Sequence, residues 1–133
     1  MSDLIAFDSV IVGGGVIGMA IALELQKSGY KTIVVEKNNF LGDEVSSRNS
    51  GVLHSGIYYP SGSLKAQLTY RGNQLLYEYA NKKEISHKRV GKIIVGSLDD
   101  QDRLLNLIEN GHHNGVKGLS ALDLNDLSSL EPN

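Results

Sequence analysis

Residues 7–36 read FDSVIVGGGVIGMAIALELQKSGYKTIVVE: an apolar run, a glycine turn, a helical stretch, and a second apolar run that ends in an acid. Phe7 to Val12 is short and rich in β-branched residues, which predicts a strand buried on both faces, as in a parallel sheet. Gly13 to Gly15 break it. Val16 to Lys27 predicts a helix with Ile17, Ala20, Ile21 and Leu25 along one side. Ser28-Gly29 stops that helix, because Gly29 can take the left-handed C′ conformation. Lys31 to Glu36 predicts a second buried strand. Together these make a β-α-β unit of about 30 residues, the size of one parallel crossover.

The turn Gly13-Gly14-Gly15-Val16-Ile17-Gly18 is a G-x-G-x-x-G. In a dinucleotide site each glycine has a mechanical task. Gly13 permits the tight turn, Gly15 lets a pyrophosphate approach the backbone, and Gly18 lets the helix pack closely on the sheet. The free N–H groups and the positive end of the helix dipole then hold the phosphates. Glu36 ends the second strand 18 residues after Gly18. A carboxylate there can accept both ribose hydroxyls of an adenosine and repels a 2′-phosphate. The strand before, the helix after and the acid beyond are the context that gives the glycines this meaning. They do not separate a flavin from a nicotinamide dinucleotide.

The rest of the composition excludes several function classes. The chain has 133 residues, 41% hydrophobic and 21% charged, which is ordinary globular usage for one domain. Thirteen Lys and Arg stand against fifteen Asp and Glu, a net charge of −2, so there is no broad positive field to hold a polyanion. With no cysteine there is no disulfide, thiolate metal site, Fe–S cluster, Cys nucleophile or cysteinyl cofactor link. Met1 to Asp8 has no basic n-region and does not read as a signal peptide. The longest nearly apolar run, Val10 to Leu23, carries four glycines and is too short to span a bilayer.

Asn38 to Gly62 is rich in Gly, Ser and Asn and predicts a long loop, with one helical turn near Ser46 to Ser50. Ser63 predicts the cap of a helix from Leu64 to about Ala80, with Leu64, Leu68, Leu75, Leu76 and Tyr79 near one face. Gly91 to Ser97 (GKIIVGS) predicts a strand. Asp100 to Asn110 predicts a helix that Gly111 stops. Asp123 predicts the cap of a last short helix, Leu124 to Leu130, with Pro132 beyond it.

The loop carries a second motif. Ser47-Arg48-Asn49-Ser50-Gly51 and Val52-Leu53-His54-Ser55-Gly56-Ile57-Tyr58-Tyr59 follow the acid-ended strand. Small residues and side-chain amides suit a segment lying against phosphates and a ring system; a surface loop fits the same pattern. The stretches 48–68 (RNSGVLHSGIYYPSGSLKAQL), 71–79 (RGNQLLYEY), 91–97, 114–122 (NGVKGLSAL) and 130–133 (LEPN) resemble the N-terminal part of L-2-hydroxyglutarate dehydrogenases/oxidases. These belong to the D-amino-acid-oxidase-like FAD-dependent oxidoreductases.

The resemblance implies an α/β, Rossmann-like FAD-binding β-α-β unit with a long cofactor-contacting loop and additional helices. Residues 1–80 would be the FAD-binding unit with its loop and helix, and 81–133 the start of a substrate-domain region. It implies oxidation of a 2-hydroxy acid to a 2-oxo acid, L-2-hydroxyglutarate to 2-oxoglutarate, by hydride transfer to flavin, with oxygen or a membrane quinone as the electron acceptor. The implied location is cytoplasmic, or peripheral on an inner membrane. The implied cofactor contacts are Gly13, Gly14, Gly15, Ile17, Gly18, Glu36, Lys37, Ser47, Arg48, Asn49, Ser50 and Gly51. His54 to Tyr59 would approach the flavin side of the pocket. Family members commonly show His-Gln-Thr-Gly ahead of the Asn-Ser-Gly; here Glu44-Val45-Ser46-Ser47 stands there, so no histidyl link is available and FAD is expected to be non-covalent. Family members also continue well past residue 133, so the active site within this chain is expected to be incomplete. The alternatives are an FAD-dependent amine oxidase of the glycine or sarcosine type, and an inactive nucleotide-binding fragment.

Alcohol oxidation needs a base for the hydroxyl proton. His54 is the candidate, since a neutral imidazole suits that task near pH 7; it also suits a structural hydrogen bond. Tyr58 and Tyr59 are candidates for a substrate carboxylate, or packing aromatics with satisfied hydroxyls. Arg48 can fork onto a phosphate or carboxylate, or face solvent. His112 and His113 are adjacent, point apart on a helix end and make a poor metal pair, so no metal site is predicted. Lys82, Lys83, His87, Lys88, Arg89 and Lys92 form a basic stretch, read as a solvated face with an anionic membrane surface as the alternative.

Overall fold

The computed structural model describes residues 5–132. The chain divides into two compact units, Met1–Val52 and Leu53–Asn133.

In the first unit, β1 (Ser9–Val12), α1 (Val16–Lys27) and β2 (Thr32–Val35) form the expected β-α-β unit. The strands run parallel, with Ser9 opposite Thr32 and Val12 opposite Val35. The pairing is pinned outside the ladder as well. Lys31 N–H donates to the Asp8 carboxylate at 2.7 Å, the Ser9 and Thr32 hydroxyls meet at 2.7 Å, and Gly13 N–H donates to the Val35 carbonyl at 2.8 Å. α1 ends in a Schellman motif. Gly29 takes φ +88°, its N–H reaches the Gln26 carbonyl, and Tyr30 N–H reaches the Leu25 carbonyl.

One expectation fails here. The strands are not buried on both faces. Ser9 and Ile11 are half-buried, but Val10 and Val12 are exposed, Val12 at 87%. A parallel sheet needs a layer on each face, and among the described residues the only helix of this unit is α1, which covers one.

The second unit holds α2 (Leu64–Lys82), a 3-10 turn (Leu98–Asp100), α3 (Gln101–His113) and α4 (Leu124–Leu130). Ser63 caps α2 as expected, its hydroxyl accepting from Ala66 N–H at 3.1 Å. Asp123 caps α4 in a reciprocal capping box with Asp126. The small core contains Ile57, Ala66, Ala80 and Val116.

Three local expectations are corrected. Residues 91–97 form no strand, because no described segment offers them a ladder. The turn in the long loop covers 41–47 rather than Ser46 to Ser50, with Ser47 N–H donating to Glu44 O and Arg48 N–H to Val45 O. Gly111 does not stop its helix. It is buried inside α3, where a Cβ would overlap Leu119 and crowd Ile57. Its lack of a side chain serves close packing, and the exit comes later, at Gly115, with φ +80° and a second Schellman pair to His112 and Gly111.

Candidate functional site

The turn between β1 and α1 has the geometry its glycines predict. Gly13 sits at φ +105°, a backbone conformation that disfavours any side chain. A Cβ on Gly18 would overlap the Gly13 carbonyl oxygen and press on the Ile11 side chain, so only glycine lets α1 lie this close to the turn. Gly15 is the N-cap of α1 and has no side chain with which to cap it. Among the described residues no acceptor faces the N–H groups of Gly15, Ile17 or Gly18. Unpaired donors at the positive end of a helix suit an anion.

Glu36 faces this turn. One carboxylate oxygen accepts from Gly14 N–H at 2.7 Å and the other from Asn38 N–H at 2.9 Å. The Asn38 and Gly14 N–H groups hold its pKa below the usual glutamate value by stabilising the anion. Each oxygen keeps a lone pair for a further donor. Lys37 turns aside: its ammonium pairs with Glu44 at 2.6 Å, which raises the Lys37 pKa and lowers that of Glu44.

Of the loop residues expected at the cofactor, Ser47, Asn49 and Gly51 bond within the loop itself. Ser47 Oγ donates to the Glu44 carbonyl at 3.0 Å. The Asn49 amide donates to the Ser46 carbonyl at 2.9 Å and accepts from Gly51 N–H at 2.9 Å, an Asx turn. Arg48 lies 4.0 Å from Asp43 and is largely exposed. The residue that reaches the helix is Ser46. Its hydroxyl accepts from Val16 N–H at 2.9 Å and lies 3.2 Å from where a Gly15 Cβ would stand. Having accepted there, the hydroxyl still has its proton to donate to a phosphate oxygen. Sequence reading missed Ser46. The available signal was the helix capped by a glycine, which leaves first-turn donors in need of an acceptor from elsewhere.

These residues fit a dinucleotide cofactor: free helix-end donors, a serine hydroxyl beside them, and a carboxylate with spare lone pairs at the end of β2. Leu41 packs over Gly14 at the rim of the turn.

His54, Tyr58 and Tyr59 lie in the second unit. His54 is exposed, and its carbonyl accepts from the Asn73 amide at 3.1 Å. The loop 56–59 is held by two side chains that sequence reading did not single out, those of Asn110 in α3 and of Asn114 at its C-cap. Asn110 donates to the carbonyls of Ile57 and Tyr59 at 2.7 and 2.9 Å. Asn114 donates to those of Gly56 and Tyr59 at 3.0 and 2.8 Å. Gly56 and Ile57 are buried, while the Tyr58 side chain stays half exposed. Lys65 sits over the Tyr59 ring, 4.3 Å from its centre.

The chain matches the FAD dependent oxidoreductase (DAO) family over residues 8–133. It is 45% identical over 130 residues to an L-2-hydroxyglutarate dehydrogenase, mitochondrial, of Homo sapiens, covering 96% of this chain and 28% of that protein. It is 41% identical over 126 residues to the protein of the same name from Arabidopsis thaliana, covering 94% of this chain and 26% of that one. Against the Caenorhabditis elegans protein of that name it is 40% identical over 133 residues, covering 98% and 31%. The chain thus spans less than a third of the length of these relatives. The family's cofactor, FAD, is the dinucleotide that the glycine turn and Glu36 suit, and the chain belongs to the FAD-dependent oxidoreductases of the DAO family.

Proposed function

We propose that this chain carries the FAD-binding region of an enzyme that oxidises L-2-hydroxyglutarate to 2-oxoglutarate. The observation that carries the cofactor half is the Glu36 carboxylate bonded to Gly14 N–H beside the open end of α1. The substrate half is supported by the names of the relatives, which are 40–45% identical over nearly the whole chain.

In this reading the N–H groups of Gly15, Ile17 and Gly18 and the Ser46 hydroxyl bind the pyrophosphate, and Glu36 the adenosine ribose. The chemistry FAD supplies when bound is hydride acceptance from the carbon that bears the hydroxyl, with oxygen or a quinone as the next acceptor. His54 takes the hydroxyl proton, and Tyr58 and Tyr59 orient a substrate carboxylate. Ser47 to Gly51 keep the cofactor loop in shape. Residues 1–80 form the cofactor unit and 81–133 the beginning of the substrate region. FAD is held without a covalent bond. The location is cytoplasmic, with peripheral contact at an inner membrane where a quinone accepts the electrons. Among the described residues no helix is long and apolar enough to cross a membrane.

The test is purification in the presence of FAD, then addition of substrate under anaerobic conditions. A yellow protein bleached by L-2-hydroxyglutarate supports the proposal. Bleaching by glycine or sarcosine alone moves the reading to an amine oxidase, and a colourless protein that takes up no FAD overturns it. Flavin left on the protein after acid precipitation overturns non-covalent binding.

A further inference from the structure

Lys92 follows Gly91 at the start of the GKIIVGS stretch, which forms no strand. Its ammonium donates to the Tyr58 hydroxyl oxygen at 2.7 Å and lies 4.7 Å from the centre of the Tyr58 ring. Among the described residues, the other Lys and Arg side chains that donate to a side chain do so to a carboxylate: Lys27 to Glu24 and Arg103 to Asp100, while Lys37 and Arg48 lie in ion pairs with Glu44 and Asp43. Among the described residues Lys92 is in no ion pair. It donates instead to the Tyr58 hydroxyl oxygen.

That phenol is presented on a fixed backbone. The carbonyls on either side of Tyr58, those of Ile57 and Tyr59, are both held by Asn110, and Asn114 holds Gly56 and Tyr59 again. Buried Gly56 and Ile57 anchor the loop, yet Tyr58 remains 50% exposed. A loop clamped this firmly while its aromatic side chain faces outward holds that side chain ready for a ligand.

The direction of the hydrogen bond decides what ligand. The Tyr58 oxygen accepts from Lys92, so the phenol proton is free to donate. The ammonium has used one of its three N–H bonds and has two left. Two donor atoms 2.7 Å apart, one of them cationic, address the two oxygens of one carboxylate. We propose that Lys92 and Tyr58 form a carboxylate-binding pair, and that Lys92 is a substrate-recognition residue for an anionic 2-hydroxy acid. The identity of the anion as a substrate carboxylate rests on the function proposed above; the anion site itself rests on the Lys92–Tyr58 geometry alone.

The test has two arms. In the first, the chain is titrated with glutarate at constant ionic strength and followed by NMR of the Tyr58 ring and the Lys92 ε-methylene. Saturable shifts at both in the unsubstituted protein, with the Tyr58 ring shift lost in Lys92→Met and kept in Lys92→Arg, support the pair. Shifts no larger than those given by chloride overturn it. In the second arm, the FAD-loaded protein is assayed with L-2-hydroxyglutarate and with 2-hydroxyvalerate, which lacks the distal carboxylate. Lys92→Met should raise KM by about tenfold or more while kcat changes little, as expected for the loss of a charge-assisted hydrogen bond made equally in ground and transition states. A KM rise for the diacid only assigns the pair to the distal carboxylate, and a rise for both assigns it to the one beside the hydroxyl. An unchanged KM for both overturns the recognition role. If no 2-hydroxy acid is oxidised at all, the proposed function fails, and the titration still decides the anion site.

Discussion

The Glu36 carboxylate closes on the N–H of Gly14 at 2.7 Å, across 22 residues of sequence, and ties the end of β2 to the turn that follows β1. Its second oxygen holds Asn38 N–H, so one side chain fixes both sides of the proposed ribose pocket.

Glu36→Gln keeps the shape but gives up the anion and turns one acceptor into a donor facing an N–H. FAD affinity should fall by about tenfold, the size of a charge-assisted hydrogen bond, measured by flavin fluorescence titration. The pH dependence has a definite sign. The folded pKa of Glu36 lies below its ordinary value of 4.5, chiefly through Asn38 N–H and then Gly14 N–H. Its contribution is therefore fully present above pH 4.5 and is lost as pH falls through the lowered folded value. Wild-type FAD binding should weaken on that acid limb, and the part due to Glu36 should be missing in the glutamine variant.

Ser46→Ala removes the acceptor of Val16 N–H at the start of α1. It should cost about 1 kcal/mol of stability, as the loss of a helix cap does, and should weaken FAD binding as well. Ser47→Ala removes only a bond to the Glu44 carbonyl and should leave FAD affinity unchanged. Paired thermal melts and flavin titrations of the two variants check this; equal effects from both would contradict the assignment of Ser46.

Asn114→Ala leaves the carbonyls of Gly56 and Tyr59 without its amide and should cost about 1–3 kcal/mol. Backbone amide exchange should accelerate at residues 56–59 before it does in α2. Uniform acceleration across the second unit would show that the amide supports the fold at large rather than this loop.

Among the described residues Glu84 is the non-glycine residue at positive φ, +55°, at the C′ position after α2, where its N–H reaches the Asn81 carbonyl and Ile85 N–H reaches that of Ala80. Glu84→Gly relieves the left-handed strain and should stabilise the protein by about 0.5–1 kcal/mol, partly offset by the freedom glycine gains in the unfolded chain. A rise in denaturation midpoint measures it.

The first unit is largely legible in the sequence. A run of β-branched residues, three glycines at fixed offsets, a twelve-residue helix and an acid-ended run carry their meaning within a few neighbours, and α1 falls on Val16–Lys27 as expected. Ser63, Asp123 and Gly29 were readable for the same reason: a cap acts on backbone groups two to five residues away. Gly111 misled because a helical glycine looks the same locally whether it ends a helix or admits a neighbour.

Sequence by itself determined the β-α-β unit, its glycine turn and the place of Glu36, because periodicity and φ preference act over one turn or one strand. Only the tertiary structure decided that Ser46 rather than Ser47 meets α1, that Asn110 and Asn114 hold the 56–59 loop, that residues 91–97 go unpaired, and that Lys92 donates to Tyr58. Those contacts join residues 30 to 58 positions apart or depend on a partner being present, and neither leaves a period in the chain.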